Sequence, residues 1–288
     1  MNERQDPAVS RRLITFLLLT LGFSGIFWYL IAAAGSLGAR GGLYVLGLMW
    51  SPGVAALLTT LIYQRNLRGL GWGWGKTRYQ VTSYLLPLSY AAAVYVPVWL
   101  LGLGGLNAPV AQDVAGRWGV SGASTGVALL VFVVLAGTVG MIGSCITALG
   151  EEIGWRGFLV PELARKMSFT KLSLVSGLIW AVWHYPVILL ADYRGSTPVW
   201  YSLTCFTLMV VGISFVYAWL RLKSGSLWTG MWLHASHNLF VQSYFDRLTV
   251  DTGPTGWITG EFGIGLVIVS LLIAVYYGRR ADELPEPV

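Results

Sequence analysis

The segment from Leu149 to Phe158 carries three side chains suited to acid–base chemistry, two carboxylates and a guanidinium. Glu151 and Glu152 follow a long run of residues without charge. Arg156 lies four residues after Glu152, so a helix places these two on one face and turns Glu151 roughly 100° away. Ionisable groups beside such an apolar run are costly to bury and usually face a bundle interior. This segment is therefore the first candidate for chemistry, and the alternative is a helix end whose acids face water.

The chain contains only three histidines, His184, His234 and His237, and all of them lie in apolar segments. Trp180 and His184 are four residues apart, as are His234 and Asn238, so a helix presents each pair on one face. His237, three residues after His234, lies near the same face. Taken alone, each of these residues can serve as hydrogen-bonding glue between helices, worth about 0.6–2 kcal/mol.

Together, these groups from three helices form the set needed to activate water and to stabilise an oxyanion. A carboxylate, alone or with an imidazole, can take a proton from water. Imidazole or amide donors can stabilise a tetrahedral oxyanion. Arg156 can orient Glu152 through a bidentate pair.

The same groups can instead bind a metal, because two histidines and a carboxylate are a common catalytic zinc set. The candidate ligands would be Glu151, His184 and His234. The sequence lacks a His-Glu-x-x-His motif, so such a site would be assembled from separate helices.

The rest of the chain, which must position these residues, is strongly apolar. Of its 288 residues, 55% are hydrophobic and 11% are charged, whereas soluble domains carry about 25% charged residues. We therefore predict an all-α polytopic membrane protein. The apolar runs are long enough for eight spans, at about 13–34, 43–63, 83–104, 125–150, 172–191, 199–220, 227–243 and 257–277.

The predicted organisation is a single membrane domain over residues 1–288. It has a cytoplasmic lead at 1–12, helices with the chemically interesting residues at 131–245, and a cytoplasmic tail at 279–288.

The basic residues predict the orientation of this bundle. With an even number of spans both termini lie on one side, and fifteen of the 19 Lys and Arg residues fall on that side. Such an excess marks the cytoplasm. The net charge of +6 is thus assigned to the inner face of the membrane and does not indicate a nucleic-acid partner. The four basic residues on the other side are Arg40, Arg117, Arg194 and Arg247.

The depth of Glu151 depends on where the fourth span begins. With a start at Thr125, Glu151 lies close to the cytoplasmic end and His184 lies nearer the outer side, at 1.5 Å per residue. We favour a fourth span from about Val133 to Leu159, with 105–130 as a longer outer segment. This version places both carboxylates inside the membrane, in a cavity reached from the cytoplasm.

The sequence resembles the CAAX prenyl protease 2 and bacteriocin-processing (CPBP) family, also called the ABI family. The resemblance is specific over about 131–245 and rests on the order and spacing of three motifs. These are Glu151-Glu152-x-x-x-Arg156, Trp180-x-x-x-His184 and His234-x-x-x-Asn238. Trp180 stands where the family usually has Phe, and His237 is not part of the family pattern.

The resemblance implies an intramembrane endopeptidase that acts on a membrane-associated protein or peptide, including prenylated or CAAX-like ones. Glu151 and His184 would activate water with support from Glu152 and Arg156, and His234 and Asn238 would form the oxyanion side. Family members are often called metalloendopeptidases. We favour a metal-free glutamate mechanism, with zinc or another divalent metal as the alternative cofactor. The expected partners are membrane lipids and the substrate.

Two other functions stay open at this stage. One is a non-catalytic membrane scaffold or bacteriocin-immunity factor of the same fold, which keeps the motif residues for packing. The other is a proton-coupled transporter, since buried acids and histidines also mark ion paths, although the chain lacks a repeated half with broken helices. No organelle signal is evident, which indicates a prokaryotic cell membrane.

Overall fold

The computed structural model describes residues 7–285, and the protein is an all-α polytopic membrane protein, as predicted. The long helices are α1 (Pro7–Ala34), α2 (Leu43–Gln64), α3 (Thr77–Leu100), α5 (Thr125–Ala164), α6 (Phe169–Leu190), α7 (Val199–Ser224) and α8 (Trp228–His237) with its π-helical continuation Asn238–Phe245. The shorter ones are α4 (Ala108–Arg117), α9 (Thr255–Ile258) and α10 (Ile264–Gly278). Single 3₁₀ turns occupy Ala39–Gly42, Arg68–Leu70 and Ala281–Glu283.

Each of the eight predicted spans coincides with a helix of the described chain. Within residues 7–285, six helices are long and apolar enough to cross a membrane on length and composition. The other two predicted spans correspond to α8 with its continuation and to α10, a shorter apolar helix. Residues 1–6 and 286–288, parts of the predicted lead and tail, lie outside the described residues.

The connections between the described helices form two groups, one at each end of the bundle. At one end, Arg12 pairs with Glu162 at 2.9 Å, the Leu227 N–H donates to the Gly71 carbonyl at 2.8 Å, and Lys223 binds the Glu283 carbonyl. We call this the basic end, because thirteen of the fifteen basic residues grouped by the sequence lie in it; Arg78 lies in the first turn of α3 beside it, and Arg4 lies outside the described residues. The basic end comprises residues 7–12, 65–76, 156–171, 221–228 and 279–285.

The opposite end comprises residues 35–42, 101–124, 191–198 and 246–263. A two-stranded antiparallel sheet joins two of these connections there, β1 (Gly105–Leu106) with β2 (Thr249–Val250). Asp192 joins two others, because it accepts hydrogen bonds from the Leu37 N–H at 2.7 Å and the Ser36 hydroxyl at 2.9 Å. These bonds to its charged form, that of Leu37 first, lower the pKa of Asp192.

The fourth span is longer than either version predicted from the sequence. α5 is one continuous helix from Thr125 to Ala164, 40 residues long. The favoured start near Val133 is wrong, because the apolar residues from Thr125 onward already form helix. The predicted extension beyond Glu152 is correct. Two π-helical segments, Ala136–Gly140 and Ile153–Leu159, interrupt α5, and the second begins directly after the two carboxylates.

Small residues let α2 approach α5 beside the carboxylates. A Cβ on Gly150 would lie 2.7 Å from the Trp50 Cα, and a Cβ on Gly154 would lie 2.7 Å and 2.8 Å from the Pro52 carbonyl carbon and oxygen. Gly150 and Gly154 are four residues apart, the spacing that brings helix backbones together in membranes. This contact fixes the part of α5 that carries Glu151.

We predict that Gly154→Ala destabilises the protein by about 1–3 kcal/mol, because the added methyl group forces two backbones apart. The measurement is thermal unfolding in detergent micelles. The matched control is Gly143→Ala on the same helix, where a Cβ meets nothing within 4 Å. Equal melting temperatures for the two variants would contradict the close approach.

Candidate active site

Glu151 is a buried carboxylate held by two indole groups. Its side chain is 1% exposed. Its Oε2 accepts hydrogen bonds from Trp155 Nε1 at 3.1 Å and from Trp180 Nε1 at 2.8 Å. Neither indole binds the other carboxylate oxygen, Oε1. That oxygen is therefore the one placed to take a proton.

Trp180 connects Glu151 to His184. Its indole binds Glu151, and its backbone carbonyl lies 2.9 Å from His184 Nδ1. A carbonyl oxygen only accepts, so Nδ1 carries the proton, and a neutral His184 has its lone pair on Nε2. Trp180 stands where the resembled family usually has Phe. Its indole N–H thus makes a hydrogen bond to Glu151 that Phe cannot make.

Glu152 and Arg156 form a buried ion pair, as their spacing predicted. Glu152 is 0% exposed and Arg156 is 3% exposed. The contact runs from Arg156 Nη1 to Glu152 Oε1 at 2.8 Å, so it is a single hydrogen bond and the predicted bidentate geometry is wrong. The reason is visible in the packing, since the guanidinium lies 4.1 Å from the ring centroid of Trp180 and 3.8 Å from that of Tyr217.

His234 joins this pair from α8. Its Nδ1 lies 2.9 Å from Glu152 Oε1, the same oxygen that Arg156 binds. Because a carboxylate accepts, Nδ1 donates, and Nε2 is left for other partners. The second carboxylate oxygen, Oε2, is buried and has no partner among the described residues. It faces Gly230, where a Cβ would lie only 2.5 Å away.

A cavity of about 170 Å³ brings together four of the six predicted site residues, all but Glu152 and Arg156. Glu151, Trp180, His184, His234 and Asn238 all line it. Glu151 and His184 also lie at similar depths in the bundle. At 1.5 Å per residue, Glu151 lies about 20 Å from the Ala164 end of α5, and His184 lies about 22 Å from the Phe169 end of α6. The helix extension to Ala164 thereby removes the mismatch in depth that a span ending near Gly150 would produce.

The wall of the cavity extends toward one end of the bundle. It includes Leu37, Tyr193 and Glu261, which belong to connections at the opposite end. The sequence led us to expect an entrance from the basic end, where the predicted cytoplasm lies. On that side Arg156 packs against the rings of Trp180 and Tyr217, and the position of the entrance stays a prediction.

A second polar cluster at the cavity was missed from the sequence. Glu261 lies near the outer end of the last predicted span, where an acid would ordinarily face water, yet it is 6% exposed. It accepts hydrogen bonds from Tyr193 Oη at 2.7 Å and Gln242 Nε2 at 2.9 Å, and His237 Nε2 lies 2.9 Å from its other oxygen. His237 Nδ1 in turn contacts the Tyr90 hydroxyl. An isolated acid in the apolar run 257–277 was the available signal.

This cluster reaches the site through an aromatic contact. The ring of Tyr193, held by Glu261, lies 6.0 Å from the His184 ring, and the ring of Trp183 lies 4.8 Å from it. Glu261 and Tyr193 thus belong to the surroundings of His184. Asn238 keeps its predicted place on the cavity wall, one helical turn beyond His234.

The three candidate metal ligands Glu151, His184 and His234 differ in whether their donor atoms are free. Nε2 of His184 and Nε2 of His234 are free of the contacts described above, as a metal-binding imidazole requires. However, Glu151 Oε2 is already bound by two indoles. Within residues 7–285, no three His, Cys, Asp or Glu side chains converge as a metal site would need. The residues as placed do not fit a zinc centre.

We predict that the Glu152–Arg156 pair is strongly coupled. Removing one partner strands a buried charge and costs about 3–5 kcal/mol, so Glu152→Gln and Arg156→Met should each destabilise by that amount. The double variant should cost less than the sum, with a coupling energy above about 2 kcal/mol. Equilibrium unfolding in detergent micelles measures this double-mutant cycle.

The chain offers a matched control with the same spacing and the same order of charges. Asp113 and Arg117 also form an i,i+4 pair at 2.8 Å, but their side chains are 58% and 74% exposed. Such a pair is worth about 0.2–1 kcal/mol. Coupling energies of equal size in the two cycles would contradict the assigned role of burial.

Comparison with known proteins covers the region of this site. Residues 129–240 match the family model of type II CAAX prenyl endopeptidase Rce1-like proteins. A curated relative, CAAX prenyl protease 2 of Methanococcus maripaludis, is 31% identical over 83 residues. The match covers 27% of this chain and 30% of that relative, so the chain spans less than a third of the length of the relative. The three motifs lie within residues 129–240, so this region is similar to type II CAAX prenyl endopeptidase Rce1-like proteins.

Proposed function

We propose that this protein is an intramembrane endopeptidase that hydrolyses a peptide bond of a membrane-associated protein or peptide. One observation carries the proposal. Glu151, His184, His234 and Asn238, from three helices, line one cavity inside an apolar bundle. Such a cavity combines a base, a water-orienting group and oxyanion donors at one place.

The first step is attack by water on the scissile carbonyl carbon. His184 Nε2 accepts a hydrogen bond from the water and orients it, because Nδ1 is committed to the Trp180 carbonyl. Glu151 Oε1 takes the proton while Oε2 stays bound to the two indoles. The water oxygen bonds to the carbon, and the carbonyl oxygen becomes an oxyanion.

The oxyanion is stabilised by donors on α8. The Asn238 side-chain amide can donate an N–H directly. His234 donates from Nε2 in its protonated form, and the Glu152 carboxylate at Nδ1 stabilises positive charge on that ring. Arg156 acts through Glu152 and has no described contact with the cavity, so it is a positioning residue.

The second step breaks the carbon–nitrogen bond. The oxyanion collapses to a carboxylic acid, and the proton held by Glu151 passes to the leaving amine nitrogen. Glu151 returns to its ionised form, so the proton balance closes without another group.

The comparisons support this proposal without covering the whole chain. The curated relative is named a prenyl protease, and the matched region 129–240 includes all six proposed site residues. Cleavage of prenylated or CAAX-like substrates is one form of the proposed activity.

We predict that Glu151→Gln lowers turnover by at least about 10²–10⁴-fold, the contribution of a general base, while the melting temperature changes little. Glutamine keeps the size of the side chain and an acceptor for the indoles. The assay follows cleavage of an apolar peptide library in detergent micelles by mass spectrometry. Asp113→Asn, an exposed acid at the opposite end, is the control and should cleave like the parent protein.

Two outcomes would contradict the proposal. One is unchanged turnover in Glu151→Gln. The other combines two results: the parent protein cleaves nothing, and Glu151→Gln strongly lowers the melting temperature. Together they would favour a scaffold that keeps these residues for packing.

We also predict that cleavage does not depend on a metal. Treatment with a strong zinc chelator should leave turnover unchanged, and elemental analysis should find less than about 0.1 equivalents of transition metal per chain, since three converging ligands are the minimum for a catalytic zinc site. Stoichiometric zinc, together with activity that is lost on chelation and restored by zinc, would overturn the glutamate mechanism.

A further inference from the structure

Among the described residues, His184 makes one hydrogen bond, so neighbouring side chains must complete the orientation of its ring. That bond joins Nδ1 to the backbone carbonyl of Trp180, one turn earlier on α6. A ring held through one nitrogen can still turn about that contact, whereas the proposed reaction needs Nε2 to face the attacking water. The orientation of His184 therefore depends on the aromatic rings packed around it.

Besides Trp180, three aromatic rings surround that of His184. The ring centroid of Trp183 lies 4.8 Å away, that of Phe206 5.1 Å and that of Tyr193 6.0 Å. Trp183 belongs to α6 and Phe206 to α7, so helix geometry fixes the positions of these two. Tyr193 lies in the connection between the two helices, and its position needs another anchor.

Glu261 supplies the anchor for Tyr193. Its Oε2 accepts hydrogen bonds from Tyr193 Oη at 2.7 Å and from Gln242 Nε2 at 2.9 Å. His237 Nε2 lies 2.9 Å from Oε1, and the Tyr90 hydroxyl contacts His237 Nδ1. A neutral His237 satisfies both contacts, because it donates from Nε2 and accepts at Nδ1. Each of the four contacts then has one donor and one acceptor, with Glu261 ionised.

This network ties the connection that carries Tyr193 to two membrane helices. Tyr90 lies on α3, His237 on α8 and Gln242 on the π-helical continuation of α8. Tyr90, His237 and Glu261 are all buried. Hydrogen bonds to an ionised carboxylate are stronger than those between neutral groups, and more so where water is excluded. The Tyr193 hydroxyl is thus held at a fixed place beside the cavity.

We propose that Glu261 and Tyr193 are positioning residues for His184. Glu261 holds the Tyr193 ring against that of His184. The Tyr193 ring in turn keeps His184 Nδ1 on the Trp180 carbonyl, which leaves Nε2 for the water. The inference rests on the proposed endopeptidase activity for its effect on turnover, but not for its effect on the His184 ring. Neither residue belongs to the three sequence motifs.

The effect on the ring is tested by ¹⁵N NMR in detergent micelles, which needs no catalysis. The chain has three histidines, so ¹⁵N-histidine labelling gives few ring-nitrogen signals, and those that vanish in His184→Gln belong to His184. Spectra are recorded at about pH 8, where an ordinary imidazole is neutral. The test variant is Tyr193→Phe, which keeps the ring and removes only the hydroxyl that binds Glu261.

We expect His184 of the parent protein to show one tautomer, with the proton on Nδ1. In Tyr193→Phe we expect a mixture of the two tautomers, because the ring is no longer held on the Trp180 carbonyl. A single Nδ1-protonated tautomer in both proteins would overturn the inference. A mixture already present in the parent protein would overturn it as well.

The effect on turnover is tested with the same variant. We expect Tyr193→Phe to lower kcat about tenfold, the effect of losing one hydrogen bond to a charged group, while KM changes less than about twofold. The matched control is Tyr201→Phe. Tyr201 Oη donates to the Trp257 carbonyl, also at 2.7 Å, and its ring packs against that of Trp257. This control should cleave like the parent protein.

A conservative substitution separates the tie to Tyr193 from the charge of Glu261. In Glu261→Gln, the amide oxygen can still accept from Tyr193, and the amide N–H can donate to His237 Nε2. We therefore expect kcat less than about threefold below that of the parent protein, because the acceptor for Tyr193 remains. A loss as large as that of Tyr193→Phe would assign the effect to the charge and overturn the inference.

The two proposals fail in different ways. No cleavage by the parent protein would remove the endopeptidase and leave the NMR result standing. Cleavage by the parent protein with an unchanged kcat in Tyr193→Phe would remove the inference alone. A raised KM with an unchanged kcat would likewise remove it, because Tyr193 would then act by contacting the substrate.

Discussion

Two adjacent carboxylates buried in an apolar bundle are the constraint on which this structure depends. Burying an ionised carboxylate without partners costs far more than a single fold can supply. Glu151 is stabilised by two indole N–H groups, and Glu152 by a guanidinium and an imidazole. The carboxylate pair therefore fixes which helices must meet, because these partners come from α5, α6 and α8.

The backbone is adapted to this requirement. Gly150 and Gly154 flank the pair and let α2 lie close against α5, while a π-helical segment begins just after Glu152. π-Helical segments occur frequently at functional sites, and a further one begins at Asn238. Elsewhere on the cavity wall, hydrogen bonds with Tyr193, Gln242 and His237 stabilise the Glu261 carboxylate. The bond to Glu261 holds Tyr193 with its ring next to that of His184.

Much of the fold and of the candidate site was predictable from the sequence, because hydropathy and helical periodicity are strong local signals. The six long apolar helices, the Glu152–Arg156 pair and the grouping of His184 and His234 around Glu151 follow from apolar runs and from spacings of four. The start of α5 at Thr125 and the burial of Glu261 were not predicted from the sequence. These depend on which side chains fill space between helices, as Arg156 does between Trp180 and Tyr217, and spacing along one helix carries no such information.

The central claim is that Glu151 is held through Oε2 so that its other oxygen can act as the base beside His184. The most direct test is the turnover number of Trp180→Phe, which removes one donor to Glu151 and keeps a ring over Arg156. Loss of a hydrogen bond to a charged group, worth about 1.5–3 kcal/mol, predicts turnover at least about tenfold lower with a nearly unchanged KM. Turnover equal to that of the parent protein would contradict the account.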